Sequence, residues 1–208
     1  QRKLLLLQDN TKSFGSQLVG MASKFAVFAT IEEFIRKSVI AFDQQERAVK
    51  SLTIAMENQG IATKQSIKNY IEIADSLKMK TGFDDEDILN MQTKLVMYTR
   101  GATITKELTE QLLNYAKVQK MDASQAGELL GREIENNTGR MGRLNLHFIE
   151  GSTVQERLSQ TTKTLSGLFQ GQAEALATES ERLSIAFGEL QKAIGSNLEV
   201  ARKTLWIG

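Results

Sequence analysis

Apolar residues in the first third of the chain return every seven positions. Stepping from Met21 leads to Phe28, Ile35, Phe42, Val49 and Met56, and Phe25, Ile31, Val39 and Leu52 widen the stripe. Lys24, Glu33, Lys37 and Gln44 occupy the opposite face. This pattern predicts one long amphipathic helix from about Gly15 to Gln59, stopped by Gly60. A strict seven-residue period held over so many turns is the mark of helices that supercoil with a partner. Met21, Phe28, Ile35, Phe42, Val49 and Met56 therefore form a candidate self-association seam, against the alternative that the helix folds back on the middle of its own chain. At about 1.5 Å per residue the helix would be on the order of 65 Å long.

From Gly60 to about Gly142 the pattern shortens. "TKQSIKNYIEIADSLKMKTG" ends at Gly82, and "DDEDILNMQTKLVMYTRG" opens on Asp84 or Asp85 and ends at Gly101. "TITKELTEQLLNYAKVQKM" opens near Thr103 or Thr105. "QKMDASQAGELLGREIENNTG" follows, with Asp122 as N-cap and Gln125 completing a capping box. Ile67, Ile71 and Ala74 follow Gly60 at the same offsets at which Leu108, Leu112 and Tyr115 follow Gly101. The repeat implies two helical hairpins of about 41 residues, stacked as a four-helix unit because neither could bury its apolar face alone.

The last of these helices contains Gly127 and Gly131, each costing about 1 kcal/mol relative to Ala in a helix interior. Ala123, Gly127 and Gly131 fall at i, i+4 and i+8, on one face. A strip without side-chain bulk predicts close approach of another helix backbone, in preference to a ligand groove. Beyond the irregular "GRMGRLNLHFIEG", Ser152 or Thr153 caps a second long helix, with Gln155 or Glu156 as box partner. Leu176, Leu183, Phe187, Leu190, Ile194, Leu198 and Leu205 make its stripe, and Gly167, Gly171, Gly188 and Gly195 mark bends or close contacts.

The expected architecture is all-α: long amphipathic helices, coiled-coil or bundle-forming, flanking a compact unit of short helical hairpins. The domains are 1–60 (long N-terminal helix), 61–150 (hairpin unit) and 151–208 (C-terminal long helix). Composition strengthens this. The 208 residues contain no proline, where about ten would be expected at average usage, and proline is the residue that breaks helix interiors. A start on Gln1 and an end on "LWIG" suggest a segment of a longer chain.

Charge and chemistry narrow the function. Lys and Arg number 26 against 25 Asp and Glu, so no basic excess argues for nucleic acid, and sequence-specific nucleic-acid binding is not expected. Without cysteine, and with His147 as the sole histidine, ordinary zinc sites and disulfides are excluded. Asp84, Asp85, Glu86 and Asp87 lack the glycine and closing glutamate of a calcium loop and suit a helix's first turn. Glu32, Glu33, Glu133 and Glu135 read as solvated positions, and neither a P-loop nor a dinucleotide fingerprint is present. No catalytic residue, metal ligand or cofactor is expected. "LVGMASKFAVFATI", residues 18–31, is shorter than the roughly 20 residues of a membrane span and carries Lys24. Trp206 could anchor a helix end or a membrane interface.

Residues 81–134, "TGFDDEDILNMQTKLVMYTRGATITKELTEQLLNYAKVQKMDASQAGELLGREI", resemble the helical region of bacteriophage and prophage tail tape measure proteins. In that family a "TGF-S/D" turn leads a helix, a "G-x-T" turn follows, and a helix closes on "L-G-R-A". Met121, Asp122, Gln125, Ala126, Leu129, Leu130, Gly131 and Arg132 stand at the corresponding positions. "LNLHFIEGSTVQERL" is similar to the family's strand-like link, and residues 164–198 to its Phe-Gly-Gly-x-A stretch and leucine-rich helix ending in "IG-x-x-L". The likeness runs from about residue 20 to 198. It departs where the family has prolines and this chain has "ENNTGRM" and "EVARK".

The resemblance implies a non-enzymatic structural protein of the virion tail, present in the host cytoplasm during assembly. Such a protein fills the tail tube lumen, sets tail length during assembly and is released ahead of DNA at infection. It implies a homo-oligomer, with a trimer as the candidate state. Tail tube and tail tip or baseplate proteins are the implied partners, with host membrane contact during infection. The long amphipathic helices and the apolar stretch at 18–31 also fit an alternative, a helical pore-forming or membrane-perforating protein.

Overall fold

In the computed structural model, residues 24–136 and 151–206 are described, together with Met141, Leu144, Leu146 and Phe148; side-chain environments are described between Thr30 and Ala201. Among the described residues there are eight α-helices and no strand. They are α1 (Lys24–Asn58), α2 (Lys64–Thr81), α3 (Asp85–Tyr98), α4 (Lys106–Gln119), α5 (Ala123–Asn136), α6 (Val154–Phe169), α7 (Gln172–Leu176) and α8 (Glu179–Trp206). The protein is all-α.

Local chemistry sets most of the boundaries. Gly60 adopts φ +70°, a left-handed conformation that ends α1, and the Ile61 amide closes the last turn by donating to the Met56 carbonyl at 3.0 Å. Thr63 and Ser66 form a capping box at the start of α2, and Gly82 ends that helix at φ 71°. Asp84 caps α3, Thr105 caps α4 and Thr153 caps α6, the last with Glu156 reaching back to the Thr153 amide at 2.7 Å. Of the alternatives at each start, the structure selects Asp84, Thr105 and Thr153.

The chain divides into two compact units, one made of residues 43–189 and the other of residues 1–42 with 190–208. This partition differs from boundaries at 60 and 150. Ala48, Leu52, Ala55 and Met56 of α1 and Leu158 and Leu165 of α6 are buried in the same core as the hairpins, so burial draws both flanks into the larger unit.

Within the larger unit, α2 contacts α3 and α4, and α5 contacts α3 and α4; the α3–α5 contact is the most extensive. Ile88, Leu89, Met91 and Leu95 of α3 meet Leu108, Leu112 and Leu113 of α4 and Leu130 and Ile134 of α5 in a continuous apolar cluster, each at most 1% exposed. Burying a side chain of this size stabilises the fold by about 1.5–3 kcal/mol. Helices α6 and α7 pack on α4. Asn114 anchors α7, its Oδ1 accepting a 2.8 Å hydrogen bond from the Ala173 amide.

The expected single helix after residue 151 is three helices. Gly171 at φ 76° breaks the path after α6. Thr178 then restarts it as a capping pair: its amide donates to Glu181 Oε2 at 2.7 Å and its Oγ1 accepts from the Glu181 amide at 3.2 Å. "TESE" is a capping-box sequence that the leucine periodicity obscured.

In the smaller unit, α1 and α8 meet at Gly195. A Cβ on Gly195 would collide with the Ser38 carbonyl oxygen and come within 2.8 Å of Phe42 Cβ. Ser38 is fully buried there, and its hydroxyl donates back to the Phe34 carbonyl at 2.9 Å.

Candidate functional site

The six residues of the seam have different environments. Met21 and the Phe28 side chain lie outside the described residues. Ile35 is 42% exposed and Phe42 is partly buried in the smaller unit. Val49 packs against the main core and Met56 is 0% exposed within it. Met56 is thus covered by the chain's own helices and offers nothing to a partner, which corrects the extent of the seam. The cause is the broadening of the stripe towards the C-terminal end of α1, where Leu52 and Ala55 also turn into the hairpin core. In the smaller unit, Ile31, Ile35, Val39 and Ile40 of α1 are all exposed by 39–49%.

The strip of small residues lies where α5 meets α3. Ala123, Gly127 and Gly131 are buried. A Cβ on Gly127 would stand 2.7 Å from the Met91 carbonyl oxygen, and one on Gly131 2.7 Å from the Tyr98 ring. Arg132 flanks this contact: its Nε donates to Tyr98 Oη at 3.2 Å, its guanidinium lies 5.9 Å from the Tyr98 ring, and it pairs with Glu128 one turn back. The adjoining depression, about 310 Å³, is lined by Met121, Gln125, Glu128, Leu129 and Arg132. Its charged groups are this one ion pair.

Of the acidic cluster, Asp84, Asp85 and Glu86 bring carboxylate oxygens within 4.8 Å of one another. Asp84 and Asp85 have structural partners. Asp84 accepts from the Asp85 amide at 2.8 Å as the cap of α3, and buried Asp85 accepts from Gln45 Nε2 at 3.1 Å. Negative charge in a first turn is stabilised by the helix dipole. Glu135 pairs with Arg100, and Glu33 pairs with Lys37 at 2.9 Å on the surface of α1, but Glu133 is 1% exposed on the inner side of α5, which corrects its reading as solvated. The Lys37 ammonium hydrogen-bonded to Glu33 lowers that carboxyl's pKa below its ordinary value. His147 and the Trp206 side chain lie outside the described residues.

Three polar features escaped the periodicity. Gln92 in α3 is fully buried, and among the described residues neither of its amide atoms has a hydrogen-bond partner. Tyr70 accepts from the Ile104 amide at 3.4 Å, and burial raises its phenol's pKa. Two lysines with side chains only 12% exposed face α8: Lys78 bonds Glu189 at 2.7 Å and Asp75 at 2.9 Å, and Lys117 bonds Glu181 at 2.8 Å. Hydropathy patterning scores such lysines as surface, so nothing in the period marks them. Among the described residues, no helix is long and apolar enough to cross a membrane.

Comparison with protein families, curated proteins and solved structures finds no match to this chain.

Proposed function

We propose that this chain is part of a bacteriophage tail tape measure protein, a non-enzymatic helical element of the virion tail. The observation that carries the reading is the order and spacing of the family-like motifs: "TGFDDED", "RGAT", "AGELLGRE" and "AFGELQKAIGSNL" follow one another as in that family. The all-α fold supports it. A helix converts residue number into distance at about 1.5 Å each, the linear relation a ruler needs. In this role the protein occupies the tube lumen as a homo-oligomer, contacts tail tube and tail tip or baseplate proteins, and leaves ahead of DNA. Of the described seam residues Ile35 is exposed, and Ile31 and Val39 beside it add to the apolar surface available for association between copies.

Removing blocks of whole helical turns from the full gene tests the reading. Tails should shorten by a constant length per residue deleted; tails of unchanged length, measured by electron microscopy, would remove the ruler role for that block. The membrane-perforating alternative has one specific support, the apolar stretch at 18–31, of which residues 18–23 lie outside the described residues. Dye release from liposomes by the isolated chain would favour it.

A further inference from the structure

The first three turns of α8 are docked with their polar side inward. Leu183 is 71% exposed and Phe187 is 51% exposed, whereas Glu181, Arg182 and Glu189 face the neighbouring helices. Between Glu179 and Glu189 the buried large apolar side chain is Ile185, and it lies outside the contiguous core cluster. Beside buried Ile185, ion pairs and hydrogen bonds tie this stretch to its neighbours. Lys117 of α4 bonds Glu181, Lys78 of α2 bonds Glu189, and the Arg182 guanidinium donates to the carbonyls of Met79 at 3.3 Å and Glu174 at 3.2 Å. Asp75 shares Lys78, and the Lys117 ammonium also sits 4.9 Å from the Phe83 ring centroid.

Apolar and ionic attachment respond oppositely to salt. The Debye length falls from about 10 Å at 0.1 M to about 3 Å at 1 M, which weakens attachment through partly exposed ion pairs, while apolar burial is not weakened by simple screening. Segments with few buried apolar contacts open locally, at far lower free energy than the global unfolding of the core.

We propose that the stretch 179–189 of α8 is a latched arm, held on α2 and α4 by the Lys78–Glu189 and Lys117–Glu181 pairs and able to leave as a unit while the hairpin core stays folded. Release would leave Lys117 without its carboxylate and Lys78 with Asp75 alone, and let the helix turn its Leu183–Phe187 face to new surroundings. This goes beyond the tail reading and does not rest on it.

Amide hydrogen exchange of the whole chain, followed by mass spectrometry, tests the latch at 0.05 and 1 M NaCl. The unchanged protein is compared with Glu189→Gln and with Lys117→Met, which removes the ammonium from both Glu181 and Phe83 and leaves the two residues of the Thr178–Glu181 cap in place. Amides of 183–189 should exchange at least tenfold faster at high salt and in each variant, while those of α3 and α5 keep their protection. Exchange of 183–189 only in step with α3 and α5 would overturn the proposal, as would fast exchange indifferent to salt and to both substitutions. The salt series on the unchanged chain decides the matter even if a variant folds poorly.

Discussion

Helices α5 and α8 carry similar raw material, leucines at helical spacing, interior glycines and interspersed charges, and the fold uses them in opposite senses. In α5 the face with Ala126, Leu130 and Ile134 turns inward, and Gly127 and Gly131 let α3 approach until only hydrogen fits. In the first half of α8 Glu181 and Glu189 reach lysines of α4 and α2, while Leu183 and Phe187 turn outward. The glycines differ accordingly. Gly131 is blocked by the Tyr98 ring, whereas the nearest atom to a Cβ on Gly188 is Asp84 Oδ2 at 3.6 Å, an ordinary contact. Amphipathicity therefore does not tell which face is buried; the neighbours do.

The largest effect should come from filling the α3–α5 contact. Overpacking a close-packed core typically costs about 1–3 kcal/mol per site, so Gly127→Leu with Gly131→Leu should cost about 2–6 kcal/mol. Calorimetry should show the melting temperature falling by about 4–24 °C, at about 2–4 °C per kcal/mol for a chain of this size; an unchanged melting curve would show that these glycines are not tightly packed. Leu130→Ala, a cavity at a 0% exposed position, should cost about 2–5 kcal/mol, whereas Leu183→Ala should stay within about 0.5 kcal/mol of the unchanged chain in urea titrations. Equal costs would mean that α8 is buried on its leucine face after all.

Gln92→Met should stabilise by about 1 kcal/mol, because it exchanges an amide without partners for an apolar side chain of similar length. A loss of stability would show that the amide has a partner in solution. Gly188→Ala should raise stability by up to about 1 kcal/mol, the reverse of the α5 glycines.

The latch also has a pH signature. The Lys117 ammonium first, and then the Thr178 amide, hold the Glu181 carboxyl below its ordinary pKa of 4.5. A depressed carboxyl contributes stability in full above its unfolded value and loses it as pH falls through the folded one. Burial disfavours the charged form of Lys78, but hydrogen bonds from it to Glu189 and Asp75 outweigh that and raise its pKa above 10.5. Its contribution is complete below 10.5 and lost as pH rises through the folded value. The small melting-temperature deficit of Glu181→Gln should thus be present at pH 7 and disappear towards pH 3. A deficit that persists there would point to the Thr178 cap alone, not to charge.

Much of the fold was legible in the residues because helix starts and stops are local. Thr105, Thr153, Gly60 and Gly82 act through neighbours three to five residues away, and the structure places them where such chemistry predicts. The Thr178–Glu181 box was equally local and was masked by the leucines around it. Gly127 and Gly131 stood out because glycine inside a helix has a known cost. Lys78, Lys117 and Gln92 did not, since burial of a polar side chain depends on partners 64 and 111 residues away in the ion pairs, and on the absence of any among the described residues in the amide.

By itself the sequence determined an all-helical chain: no proline, strong caps, and apolar periods near seven are sufficient, because each acts within one or two turns. Only the tertiary structure decided that Met56 belongs to the chain's own core, that the division into units runs through the long helices, and that α8 docks by its charges. A helix period defines faces but not their neighbours, and which face is covered follows from the free energy of burial summed over contacts distant in sequence.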